Sequence, residues 1–172
     1  MNDAIDASEH LTDWLRNAHA MEQQSEAMLK TMADRLEHYP DLHARTVEHL
    51  NETRWQREQL EGCLERLGTS PSTLKDITGK LMAFGESAVA MMSSDEVVKG
   101  AMGAYVFEHM EIASYTVLIR AAEAVGDQQT KLVCEQILQQ EVAMADWLLQ
   151  HLPSTTSHFL SRSARPGVKA KN

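Results

Sequence analysis

Six residues of this 172-residue chain combine donor chemistry with regular spacing: Glu22, His49, Glu52, Glu108, Glu111 and Glu141. His49 and Glu52 are three apart, as are Glu108 and Glu111, so the members of each pair are neighbours on one side of a helix. All six fall where a bundle helix should show an apolar stripe. A polar group left unpaired in a core is costly, and a bare carboxylate more so. Five carboxylates and an imidazole gathered at neutral pH repel one another strongly unless protons or cations neutralise them. Two divalent or trivalent ions satisfy the charge count, and hard oxygen donors with one imidazole suit iron first and manganese as the alternative.

The elements that must bring these residues together are helices. Leu11, Trp14, Leu15, Ala18, Met21, Ser25, Met28, Leu29, Met32 and Leu36 recur at three-and-four spacing, predicting a first helix from near Ser8 to about His38 with Glu22 inside its stripe. Pro40 is expected to end it, and Asp41 to cap the next. The second helix, about Asp41 to Leu67, has an inner stripe that is apolar at its ends (Leu42, Leu60, Leu67) and polar in its middle (His49, Glu52, Gln56). Gly68 to Pro71 stops it. From Ser72 to Ser94 the pattern is weaker and interrupted by Gly79 and Gly85. That stretch is long for a bundle loop but suits a crossover carrying a short extra helix, which would let the third helix run parallel to the second. The third helix is predicted from Ser94 or Asp95 to Val125 through Ala101, Ala104, Glu108, Glu111, Tyr115 and Leu118. After a turn at Gly126-Asp127, the fourth carries Cys134, Ile137, Glu141 and Leu148 inward and is expected to end at Pro153.

The expectation is an all-α antiparallel four-helix bundle over residues 1–153. Residues 154–172 read as a flexible basic tail, with Phe159 and Leu160 placed to grip a neighbouring subunit. Glu22 to Glu52 and Glu111 to Glu141 are both 30 residues, as an internal duplication would give. Counted from the two turns at the α-helical rise, all four carboxylates can meet at mid-bundle, one from each helix. A lone inward Glu is more often a boundary residue reaching solvent; four at matching heights favour the metal reading. Glu108 and His109 lie 100° apart around their helix, so both cannot point straight inward, and the stripe favours Glu108. Gln56 and Tyr115 read as hydrogen-bonding neighbours of the ligands, and His19 as a surface residue.

A net charge of −9 argues against a nucleic-acid surface, which needs a concentrated basic face. Cys63 and Cys134 are the only cysteines, too few for a disulfide framework, and point to a reducing compartment. No apolar run approaches the roughly 20 residues that cross a bilayer. The composition therefore reads as a soluble, cytoplasmic protein.

The strings His49-Leu-Asn-Glu52-Thr53-Arg-Trp-Gln56 and Glu108-His109-Met-Glu111-Ile112-Ala113-Ser114-Tyr115, with Glu22-Gln23-Gln24 and Gln140-Glu141, resemble the signatures of the YciE/YciF-type ferritin-like family. The resemblance spans about Leu11 to Leu152. It implies a ferritin-like four-helix bundle with an added helix, a homodimer, and a place among stress-associated bacterial proteins. It also implies a di-metal centre that oxidises ferrous iron, with dioxygen or peroxide as the oxidant, or consumes peroxide. By position it makes Glu22, Glu52, Glu111 and Glu141 the foremost ligands, with His49 and Glu108 next. The chain departs from the wider ferritin pattern, which has a His three residues after a ligand Glu: here Trp55 and Met144 stand there. A manganese centre that disproportionates peroxide, as in a catalase-like enzyme, and a non-catalytic metal-binding helical dimer are the rival readings.

Overall fold

The structure, a computed structural model, describes residues 6–69 and 95–168. Four helices make up these residues: α1 (Ala7–Ala33), α2 (Pro40–Arg66), α3 (Glu96–Val125) and α4 (Gln128–Ser163). The extra helix expected between Ser72 and Ser94 lies outside the described residues.

Cross-links fix the helix directions. Arg16 reaches Thr69 at the far end of α2, while Arg54 Nε meets Glu26 at 2.9 Å, so α1 and α2 are antiparallel. Tyr115 bonds Glu22 and Arg35 pairs with Glu96, which sets α3 against α1 in the same sense. Gln56 meets Gln140, and Arg66 meets Thr130, which makes α4 antiparallel to α2. It follows that α2 and α3 run parallel and that Thr69 and Asp95 lie at opposite ends of the bundle. This is the ferritin-like order expected for a long crossover.

Two boundaries differ from expectation. α1 stops at Ala33, five residues before His38, yet Leu36 and Tyr39 remain buried in the turn that follows. The apolar spacing continues although the helix does not. Pro40 then opens α2 at its first turn, where a missing N–H is harmless. At the other end, Pro153 does not terminate α4, which continues for ten residues to Ser163. A proline forfeits one backbone donor and crowds the preceding turn, but burial beyond it can outweigh that cost. Here Thr155 is buried, the His158 and Tyr39 rings are 4.9 Å apart, and Phe159 packs on the core of its own chain. Residues 154–163 are therefore part of the bundle, and only Leu160 of the expected gripping pair is exposed. Between α3 and α4, Gly126 takes φ 79°, a left-handed conformation that suits glycine, and Asp127 caps α4 by accepting from the Thr130 N–H at 3.0 Å.

Among the described residues, the buried apolar side chains form two clusters. One is built on Leu11, Leu15, Leu60, Leu64, Leu118 and Ile137; the other on Met32, Leu36, Leu42, Val97, Met144 and Leu148. Cys63 and Cys134 are free thiols inside the first. Burial, with Cys63 beside it, pushes the Cys134 thiol up to about 12, so it stays protonated. Between the clusters lies a layer of buried polar side chains from all four helices.

Candidate metal centre

α2 contributes His49. Its inward stripe, Leu42, Thr46, His49, Thr53, Gln56 and Leu60, winds along one face, and all six are buried. The Thr53 hydroxyl donates to the His49 carbonyl at 3.0 Å, tying down the backbone at that turn. The His49 Nδ1 lies 2.8 Å from Glu52 Oε2, and the same oxygen accepts from an Arg45 guanidinium nitrogen at 3.1 Å. A carboxylate on Nδ1 fixes the proton there when the ring is neutral and frees Nε2 to act as a ligand. Nε2 points the other way, 3.2 Å from Glu108 Oε2 and 3.4 Å from Glu141 Oε2. These are ion-pair distances without hydrogen-bond alignment, and Nε2 has no hydrogen-bond partner.

α3 supplies Glu108 and Glu111 one turn apart, and α4 supplies Glu141. One ligand atom from each of His49, Glu108, Glu111 and Glu141 lies within 4.8 Å of all the others, and all four residues are buried. Glu22 enters from α1. It is fully buried, accepts a hydrogen bond from the Tyr115 hydroxyl through Oε1, and leaves Oε2 without a partner. Gln56 donates to Glu141 Oε1 and, at 3.0 Å, to Gln140 Oε1.

The electrostatics describe a centre short of positive charge. Burial, then the field of Glu141, raises the Glu22 carboxyl well above its usual range, against the Tyr115 hydrogen bond. Burial, then Glu22 and Glu141, does the same to Glu111. Burial raises Glu108 to about 8 although His49 opposes it. For His49, burial favours the neutral ring, but the negative charge of Glu108, the close carboxylates of Glu108 and Glu141 beside Nε2 and the Glu52 contact on Nδ1 overcome it and hold the ring's pKa well above normal. Burial also pushes Glu141 upward, yet the close approach and the charge of the His49 ring bring it below the usual range. Glu52 follows the same pattern, with Arg45 helping His49. Without a cation, therefore, Glu22, Glu108 and Glu111 retain protons that a metal would displace.

The donor set fits a metal. Both oxygens of Glu108 and of Glu111, and one each of Glu22 and Glu141, are buried with no hydrogen-bond partner. Native interiors rarely tolerate such a concentration of unsatisfied acceptors. Three carboxylates with an imidazole, and a fourth carboxylate beside them, match the preference of iron and manganese.

The structure thus gathers His49, Glu108, Glu111 and Glu141, with Glu22 close enough to perturb them. Glu52 is outside that group. It lies about 60° around α2 from His49, off the inward stripe, and faces His49 Nδ1 and Arg45 with its side chain 24% exposed. His109 is exposed and set edge-on to Tyr105, so Glu108 is the inward member of that pair. His19, expected at the surface, is fully buried, and its Nε2 lies 2.8 Å from Glu61 Oε1. Gln56 and Tyr115 touch the carboxylates as expected. The sequence assigns no role at the site to Arg45 or to Gln140, although Gln140 stands in one of the quoted strings. The seven-residue step from Arg45 to Glu52, two helical turns, was the available signal for the first.

Residues 6–161 match the family described as "Domain of unknown function (DUF892)". Three solved structures are similar along most of the chain. A protein from Xanthomonas campestris pv. campestris is 40% identical with a TM-score of 0.79, the match covering 93% of this chain and 100% of that one. YcfI from Rhodopseudomonas palustris is 25% identical with a TM-score of 0.68, covering 86% and 95%. The E. coli stress protein YciF, at 19% identity and a TM-score of 0.69 over 89% and 98%, shares the fold. The bundle and the match along nearly the whole length agree: the chain belongs to the DUF892 family, and it shares its fold with YciF.

Proposed function

We propose that the mid-layer holds two metal ions, iron by preference or manganese, and that the protein oxidises ferrous iron with dioxygen or peroxide in protection against stress. One observation carries this reading: four buried donor residues converge within 4.8 Å while most of their carboxylate oxygens lack any other partner. When bound, such ions supply the one-electron steps that dioxygen and peroxide need and that protein side chains do not.

The residues of this chain do the rest. His49 offers Nε2 while Glu52 and Arg45 hold the ring in place. Glu108, Glu111 and Glu141 offer carboxylates, Gln56 orients Glu141, and Tyr115 orients Glu22. The apolar clusters above and below keep bulk water out, which strengthens each charge interaction inside. The functional unit is a homodimer, a stoichiometry that light scattering checks.

Elemental analysis of natively purified protein, with Glu111→Ala and Glu141→Ala alongside, tests the proposal. About two ions per chain in the parent and a large loss in either variant are expected. Ferrous-iron oxidation and oxygen release from peroxide, each measured on iron-loaded and manganese-loaded protein, separate the ferroxidase reading from the catalase-like one. A parent chain free of metal, with melting indifferent to added ions, would leave only a helical scaffold.

A further inference from the structure

The donors of the mid-layer are fully buried, so an ion must pass between helices to reach them. The four helix–helix seams are not equivalent. The α1–α2 seam is crossed at the height of the site by ion pairs from Arg54 and Arg57 to Glu26 and by the His19–Glu61 contact. The α3–α4 hairpin is the most closely packed pair. Between α1 and α3 runs a groove of about 320 Å³, but its walls include Trp14, Ala18, Met21, Met110, Val117 and Leu118. Only Asn17 and Ser114 offer polar side chains there, so an ion entering such a passage would shed most of its water for little replacement.

The α2–α4 seam differs in both respects. Among the described residues these helices touch least of the neighbouring pairs, and a hollow of about 430 Å³ opens between them. Its wall is Glu52, Trp55, Gln136, Gln139, Gln140 and Ala143, four of them oxygen donors. Behind that wall, the buried amide of Gln56 bonds to Gln140, which lines the hollow, and to Glu141 in the cluster. Its own carbonyl oxygen is buried and unpartnered. Through Gln140, a single buried side chain therefore links an open, partly polar hollow to a carboxylate of the cluster.

We infer that this hollow is the capture site and way in for a hydrated divalent cation. Glu52 and the Gln139 and Gln140 amides receive the ion. The Gln56 carbonyl takes it up in exchange for water, and Glu141 accepts it from there. Gln56 must break its two hydrogen bonds to let the ion through and remakes them behind it. Glu52 thus has a second task besides orienting His49, and its partial exposure follows from that task.

The inference rests on the metal reading above, and its test is a rate, which distinguishes the two. Metal-free protein is mixed rapidly with Mn²⁺, and loss of the free-ion EPR signal reports uptake. Ala143 and Ala113 are both exposed, so a large side chain at either is tolerated by the fold. Ala143→Trp fills the polar hollow; Ala113→Trp fills the apolar α1–α3 groove. Ala143→Trp is expected to slow uptake about tenfold or more while the final number of ions bound is unchanged, and Ala113→Trp to leave the rate within about twofold of the parent. Gln136→Trp, at another exposed position on the wall, obstructs the same hollow and should repeat the Ala143→Trp result. Uptake at the parental rate in both hollow variants, or slowing in Ala113→Trp instead, overturns the route and leaves the metal centre standing. A parent that takes up no Mn²⁺ overturns both.

Discussion

The mid-layer and the apolar clusters on either side of it are made by the same four helices, yet they contribute to folding with opposite sign. In the cluster around Leu11, Leu60 and Leu118, each buried side chain gains from leaving water and from dispersion contacts. In the mid-layer, Glu22, Glu108, Glu111 and Glu141 are equally buried, but each loses hydration and most of their oxygens find no replacement. The comparison teaches that the ends of the bundle hold it together and the middle is tolerated. A cation changes the sign of the middle, and nothing comparable acts on the ends.

The sharpest way to break that comparison is to remove matched bulk from each region. Leu118→Ala, at the apolar end, should destabilise by about 2–5 kcal/mol, with or without metal. Glu111→Leu should do the reverse in metal-free protein. A buried polar group without a partner costs about 1–3 kcal/mol, and an apolar side chain of similar size removes that cost. The same variant should lose the rise in melting temperature that added metal gives the parent. Denaturant titrations with a chelator present, and again with metal, read all four outcomes. A Glu111→Leu variant less stable than the metal-free parent would mean that the carboxyl has partners and that the contrast is false.

The pH response follows from the same asymmetry. Glu22, Glu108 and Glu111 hold protons more tightly folded than unfolded. Their contribution is complete below the ordinary carboxylate range and is withdrawn as pH rises, through about 8 for Glu108. His49, also shifted upward, acts in the same direction. Glu141 and Glu52 are shifted downward, so their contribution is lost only as pH falls through their folded values. Metal-free protein should therefore melt highest near about pH 5 and lose several degrees by about pH 8. Because the metal competes with those protons, loading should release them, and affinity should rise over the same interval. Thermal melts across that range with chelator, and calorimetry in two buffers of different ionisation enthalpy, measure the two effects. A melting temperature that climbs steadily towards pH 8 without metal would contradict the protonation scheme.

How far the site could be read from the sequence depends on how each residue is held. The clusters were legible because apolar spacing on a helix has one meaning: Leu11, Leu15, Leu60 and Leu118 go inward wherever the helix packs. Glu22, Glu111 and Glu141 were legible for the converse reason, as polar interruptions of such stripes. His49 and Glu52 were harder. Both flank the polar middle of α2, and spacing alone does not say which is central; Thr46, Thr53 and Gln56, which centre the stripe on His49, are polar themselves and carry no hydropathy signal. Helix ends were hidden for another reason. Leu36 and Tyr39 keep the apolar rhythm beyond Ala33, and the burial of Thr155 and Phe159 that carries α4 past Pro153 is a tertiary effect. A local breaker cannot reveal what lies across the bundle to compensate it.

The smallest expected effect bears most directly on where the mid-layer ends. Glu52→Gln keeps the side chain's size and an oxygen able to accept from His49 Nδ1, but it removes the charge that Arg45 neutralises and that stabilises the imidazole. If Glu52 acts behind His49, affinity for the metal should fall about 10- to 100-fold, as loss of such an outer carboxylate commonly gives, while the number of ions bound at saturation stays the same. Glu52→Ala, which cannot accept from Nδ1 at all, should weaken binding further without changing that number. If Glu52 is instead a ligand, the alanine variant should saturate with fewer ions, and no excess of metal should restore the count. Isothermal titration paired with elemental analysis at saturation reads affinity and number separately. A fall in number would move Glu52 into the cluster and extend the layer that depends on cations outward to the α2–α4 seam; an unchanged number would confine it to the fully buried donors, with Glu52 and Arg45 as the first residues outside it.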